Sequence, residues 1–327
     1  MKNNKLKIYK LIGFKPREKP SEIFLQGGLG NQLFQYFFGR YLVTELNKQV
    51  ILNISRIEST NLTHPNSNIL SLNLLIPIKA ITRVSKLKHK YSLVAKYLIY
   101  FKKLLIINRS RIYTASKIGY DNNIDEIVLS EKYKYFLGYF QSWKYFKSNE
   151  SEKYSIFEGL TLKDSWILKN HKILASTNFT AVHVRLGDFN AIENSFIGSL
   201  NTTYYANCVK YLFDQNINQQ MYIFSDDIQS AKEIYGGVFP QESIWVNSSK
   251  NSNPVEILSV MRMANVFIIA NSTFSWWAAH LSPNNPLVLA PKKWFQNSAD
   301  PLDLIPPNWH VVDTGWTINL NDDNMKS

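Results

Sequence analysis

Residues 266–281 read V-F-I-I-A-N-S-T-F-S-W-W-A-A-H-L. Five apolar residues, three of them β-branched, run into Asn271, Ser272 and Thr273, and an apolar-rich segment of helical length follows. A short buried strand passing directly into a helix is one half of a βαβ unit. The same alternation extends outward. A helix is expected at 254–264 and a strand at 286–290, and upstream come strand 179–186, helix 202–213, strand 221–225, helix 228–235 and strand 243–246. Such a succession predicts a parallel sheet with helices on both faces, with ligands at the carboxyl ends of its strands.

The N-terminal half opens in the same way, with strand 22–26, helix 31–46 and strand 50–54. Between the first two stands G-G-L-G-N-Q (27–32), three glycines in four positions, which reads as a loop made for close approach to the backbone. A dinucleotide fingerprint would need a third glycine where Leu33 stands and an acid near the end of the next strand, where Asn53 stands, so that reading fails. A close crossing of secondary elements explains the glycines equally well. Residues 61–125 are less regular, and the polar run 147–153 marks a boundary, giving two expected domains, 1–150 and 151–327.

With 327 residues, 45% of them hydrophobic and 19% charged, the chain is globular and long enough for two cores. Its single cysteine, Cys208, excludes a disulfide framework and a cysteine zinc site, and points to the cytoplasm. The first sixteen residues lack the apolar stretch of a signal peptide, and no apolar run approaches the roughly 18 residues of a membrane span. A net charge of +12 admits nucleic acid, an anionic membrane or an anionic substrate as partner. No nucleic-acid module is recognisable. Much of the charge lies in 84–111, where Leu87, Tyr91, Val94, Leu98, Phe101 and Leu105 recur at helical spacing. That pattern suits peripheral contact with the inner face of the cytoplasmic membrane. An ordinary surface helix is the simpler reading, because Leu93, Ile99, Leu104 and Ile107 spread apolar groups beyond one stripe.

Three strand ends carry polar groups that a core does not require. In H-V-R-L-G-D-F (183–189), alternation puts His183 and Arg185 on one side of the strand, and Gly187 then presents Asp188. Arg185 is suited to a phosphate; an ion pair with Asp188 closing the turn is the alternative. F-S-D-D (224–227) offers Asp226 and Asp227, one of them a candidate helix N-cap and the other a partner for a ribose or base. Ser272, Thr273 and Ser275 stand at a helix start, where unpaired N–H groups and the dipole favour an anion; simple capping is the alternative. Trp276 and Trp277 read as core or interface packing. Together the three strand ends describe a nucleoside diphosphate site.

These segments, with G-G-L-G-N-Q-L-F-Q-Y (27–36), G-Y-F-Q-S-W-K-Y-F (138–146) and A-P-K-K-W-F (290–295), resemble glycosyltransferase family 11, the α-1,2-fucosyltransferases, in its bacterial surface-polysaccharide branch. The resemblance implies a GT-B fold, two Rossmann-like domains facing across a cleft. It implies metal-independent, inverting transfer of L-fucose from GDP-β-L-fucose to the 2-hydroxyl of a galactose-terminated, O-antigen-like acceptor, which can be lipid-linked. By the same resemblance Arg185 holds the β-phosphate, His183 and Asp226 or Asp227 the guanosine, and Ser272, Thr273 and Ser275 the pyrophosphate. Gly28 and Gly30 approach the fucosyl phosphate from the opposite domain, with Asn31 and Gln32 as hydrogen-bonding tips. Asp188 is the first candidate for general base. The family motif H-x-R-R-x-D-Y is altered here: Leu186 replaces the second arginine and Phe189 the tyrosine. Alternation turns position 186 away from 185, so the phosphate contact does not depend on it. Three other functions compete: a GT-A enzyme holding Mn²⁺ on Asp226 and Asp227, a dinucleotide oxidoreductase, and a non-catalytic glycan-binding protein.

Overall fold

The computed structural model describes residues 20–59, 69–79, 111–146, 151–186, 197–247 and 253–316. The basic segment expected at 84–111 lies outside these residues except for Arg111, as do Gly187, Asp188 and Phe189.

The chain forms two sheets. The first contains β1 (Ser21–Phe24), β2 (Val50–Asn53), β3 (Ile78–Lys79), β4 (Ile112–Thr114) and β5 (Tyr135–Leu137), in the order β3-β2-β1-β5-β4. The second contains β6 (Phe179–Val184), β7 (Gln220–Ser225), β8 (Ile244–Trp245), β9 (Val266–Ile268), β10 (Leu287–Pro291) and β11 (His310–Val312), in the order β11-β10-β9-β6-β7-β8. All paired strands are parallel. The helices are α1 (Leu29–Thr44), α2 (Ser55–Ser59), α3 (Ile124–Leu129), α4 (Glu152–Ser155), α5 (Ser165–Ser176), α6 (Thr202–Asp214), α7 (Ile228–Tyr235), α8 (Pro254–Met261) and α9 (Thr273–His280). Two Rossmann-like sheets packed through the helices between them make the GT-B architecture.

Strand alternation decides how the second sheet is buried. Phe179, Ala181, Phe267, Ile269, Val288 and Ala290 face a core continuous with that of the first half. Their neighbours Val182, Val184, Val266, Ile268 and Leu289 face a separate core beneath α6 and α7. Burial on both faces is why these strands read as continuous apolar runs.

Each sheet starts near its centre and is extended first to one side and then to the other. The reversal falls between β1 and β5 in the first sheet and between β6 and β9 in the second. Such switch points open crevices at the carboxyl ends of the strands. The motifs 27–36, 138–146, 183–189 and 270–281 follow β1, β5, β6 and β9 in turn.

Two sequence expectations need correction. Helix α1 begins at Leu29, with Gly28 as its N-cap, so Gly30 lies in the first helical turn and not in a loop. The middle of the chain, expected to be irregular, supplies β3 and β4 to the first sheet. Among the described residues no helix is long and apolar enough to cross a membrane.

Candidate functional site

The end of β6 is tied to the end of β7. His183 pairs in register with Phe224 and Val184 with Ser225, which brings Arg185 beside Asp226. Arg185 Nη1 lies 3.3 Å from Asp226 Oδ2, and the Leu186 N–H donates to Asp226 Oδ1 at 3.0 Å. Asp226 is thus one partner of Arg185; the pairing with Asp188 falls outside the described residues. Leu186 is buried in the core on the opposite face, as alternation required. His183 is 4% exposed, its Nδ1 has no partner among the described residues, and burial lowers its pKa to about 4, with Asp226 opposing that shift and Arg185 adding to it. It is a neutral imidazole beside a strand end.

Asp227 is the N-cap of α7, accepting from the Ser230 N–H at 3.1 Å and from its hydroxyl at 2.8 Å. Ser272 caps α9 through the Phe274 N–H. Ser275 is completely buried, and its hydroxyl donates to the carbonyls of Ser272 (3.2 Å) and Ala270 (3.4 Å). Its side chain closes the strand-to-helix turn from inside. Thr273 stands at the start of α9 against the other half of the molecule. A Cβ on Gly30 would lie 2.5 Å from both the Thr273 carbonyl carbon and its Oγ1. The glycine thus allows α1 and α9 to meet N-terminus to N-terminus. The first intrahelical bonds are Gln32 N–H to Gly28 and Trp276 N–H to Ser272, so the earlier N–H groups of both helices have no acceptor within their own helix. Two positive dipole ends therefore meet, and the start of α9 reaches the end of β6, the Phe274 ring lying 5.7 Å from the His183 ring.

The amides of the first half are arranged differently from expectation. Gln32 is completely buried and donates from Nε2 to the Gly27 carbonyl at 2.7 Å, because residue 32 lies one turn inside the helix. It does not form a tip. Asn31 lies in the first turn of α1, half-buried, with Oδ1 accepting from Gln141 Nε2 at 2.9 Å. Buried Gln35 accepts from the Gln26 N–H at 2.9 Å and donates to the Gly138 carbonyl at 3.0 Å, joining the loops after β1 and β5. Buried Asn271 donates to the carbonyls of Ile197, Gly198 and Trp294. Sequence reasoning gave Gln35, Gln141 and Asn271 no role. All three lie within the quoted motifs, as amides beside glycines or strand ends.

A family profile described as glycosyl transferase family 11 matches residues 22–312, which takes in every one of these segments. The chain belongs to glycosyl transferase family 11. Among the relatives of this family 11 member, an α-1,2-colitosyltransferase of Escherichia coli is 27% identical over 296 residues, covering 87% of this chain and 96% of the relative. The O-antigen biosynthesis glycosyltransferase WbnK of the same organism is 26% identical over 287 residues, covering 83% and 93%. Among solved structures, the NodZ α-1,6-fucosyltransferase soaked with GDP-fucose overlaps with a TM-score of 0.45 at 14% identity, over 81% of this chain and 94% of that one.

In this family 11 glycosyltransferase the tryptophans of α9 pack as expected. Trp277 stacks on Phe37 at 4.7 Å and Trp276 lies 4.6 Å from Phe34, so both belong to the joint between the halves. A cavity of about 470 Å³ lined by Trp143, His280, Asn308 and Trp309 lies at the other end of α9, roughly 10 Å along the helix from Thr273. None of Arg185, His183, Asp226, Asp227, Ser272, Thr273 and Ser275 lines it.

Proposed function

We propose that this family 11 enzyme transfers L-fucose from GDP-β-L-fucose, with inversion, to the 2-hydroxyl of a terminal galactoside in a surface polysaccharide, forming an α-1,2 linkage. The observation that carries the reading is the meeting of the α1 and α9 N-termini, with the start of α9 beside His183 on the strand end that also carries Arg185. As the glycosidic bond breaks, the sugar becomes oxocarbenium-like and negative charge develops on GDP; preorganised N–H groups and a guanidinium stabilise that charge most where it is greatest. Arg185 and the start of α9, with Ser272, Thr273 and the turn closed by Ser275, hold the pyrophosphate. His183 and Asp226 hold the guanosine, and Gly28 and Asn31 approach the fucosyl phosphate from the other half. The enzyme needs no metal, a reading supported by Asp227 acting as a helix cap and Asp226 facing Arg185. Asp188 remains the candidate general base, since late proton transfer needs only modest basicity. The relatives named for α-1,2 transfer and for O-antigen biosynthesis support the linkage and the acceptor class.

One observation favours a second donor: a relative is named for colitosyl transfer. Colitose is L-fucose without its 3-hydroxyl, and the same leaving-group chemistry serves both. The deciding assay offers GDP-fucose and GDP-colitose to β-galactoside acceptors with EDTA present, followed by linkage analysis. Undiminished α-1,2-fucosyl product is expected. Preference for colitose establishes the second donor, loss of activity in EDTA ends the metal-free reading, and no transfer from either donor ends the proposal. The acceptor is proposed to be lipid-linked, with the protein cytoplasmic and held at the membrane through 84–111. Failure to float with anionic liposomes would remove the membrane contact.

A further inference from the structure

We infer that Gln141 is a positioning residue for the transfer reaction, acting through the carboxamide of Asn31. The inference rests on the proposed role of Asn31 at the donor phosphate. Asn31 lies in the first turn of α1, and its Nδ2 stands over Gly27, 2.6 Å from where a Cβ on that glycine would be, in the same turn whose Gly30 meets the backbone of Thr273. Its Oδ1 accepts from Gln141 Nε2, while Nδ2 has no partner among the described residues and is not sealed from solvent. As long as Gln141 donates, the amide presents its NH₂ group, a hydrogen-bond donor suited to an anionic leaving group.

Gln141 is itself held from several sides. It is 7% exposed, and its own N–H donates to the Ile118 carbonyl at 2.8 Å. The preceding residue, Phe140, is in the left-handed region (φ 53°), a conformation sustained by stacking of its ring on Phe38 with centroids 3.8 Å apart. Immediately after it, Ser142 caps the turn Trp143–Tyr145, and the Trp143 N–H donates to the Asp303 carbonyl in the second half. The amide that orients Asn31 is thus fixed relative to both sheets. This matters because a donor aimed at a developing charge contributes only when it is already in place.

A glutamate at position 141 has the same length but can only accept, so it forces the Asn31 amide to turn over and present oxygen. For Gln141→Glu assayed with GDP-fucose and a β-galactoside, kcat is expected to fall about 10-fold or more while the donor KM changes less than about 2-fold. Gln141→Leu should lower kcat similarly. A cycle with Asn31→Ala separates positioning from structure: in the Asn31→Ala background, Gln141→Glu should cost nothing further. An equal loss in both backgrounds overturns the inference and leaves the role of Asn31 standing. Normal turnover by Asn31→Ala overturns that role and the inference with it. Thermal melts of all four proteins identify any loss due to unfolding, and a Gln141→Glu defect matched by a collapsed melting temperature also counts against positioning.

Discussion

Gly27, Gly28 and Gly30 share one junction for three different reasons. Gly27 adopts a left-handed backbone (φ 75°), Gly30 leaves no room between α1 and Thr273, and a Cβ on Gly28 would meet nothing within 4 Å. The two helical-end positions therefore separate fold from ligand. Gly30→Ala should destabilise the protein by roughly 1–3 kcal/mol through overpacking against backbone that cannot yield, measured by urea denaturation. Gly28→Ala should cost less than about 1 kcal/mol, the difference between glycine and alanine at an N-cap. Its kcat/KM for GDP-fucose should nevertheless fall about 10-fold, equivalent to ~1.4 kcal/mol, because the open space beside Gly28 is where the proposed donor lies. Unaltered kcat/KM in a well-folded Gly28→Ala protein would remove Gly28 from the donor site.

At the scale of elements, the two adjacent carboxylates after β7 divide into one that builds a helix and one that faces Arg185. Asp227→Ala should lower stability by about 1 kcal/mol, as loss of an N-cap does, with the donor KM unchanged. Asp226→Asn removes the charge facing Arg185 and should reduce kcat/KM by about 10-fold or more. If the two variants exchange these phenotypes, the division is wrong. The sequence made the strand end legible but not which aspartate does which, because Arg185 and Asp226 meet only through the parallel register of β6 and β7. The order of strands is likewise hidden in an alternating pattern, and it is that order which brings Gln141 after β5 to Asn31 after β1. In the second half, strands buried on both faces and helices with polar caps gave boundaries close to those seen. In the first half, β5 is three residues within K-Y-K-Y-F-L-G (132–138), with only Phe136 fully buried, too short a run for any period to show. The start of α1 was misplaced because three glycines resemble a loop until the close packing at Gly30 is known.

Across the whole molecule, the joint between the halves is built like a core and not like a hinge. Phe34, Phe37 and Phe146 of the first half interlock with Trp276, Trp277 and His280 of α9. Around this centre, Glu152 accepts hydrogen bonds from Tyr36 and Arg40, Lys144 pairs with Asp303 at 2.8 Å, and the Leu302 carbonyl packs where Gly119 has no side chain. The inner face of the second sheet belongs to the same buried cluster as α1 and β1. Domains that meet through small polar interfaces unfold separately, whereas a continuous apolar core couples them. Urea denaturation should therefore give one transition, with tryptophan fluorescence and far-ultraviolet circular dichroism coincident at every concentration. Trp277→Ala, which removes the ring stacked on Phe37, should shift that single transition by roughly 3–5 kcal/mol and, at intermediate urea, allow the two signals to separate. Two transitions in the unaltered protein would show that the aromatic joint is a weak contact and that the α1 and α9 N-termini are brought together by the donor instead of being held ready for it.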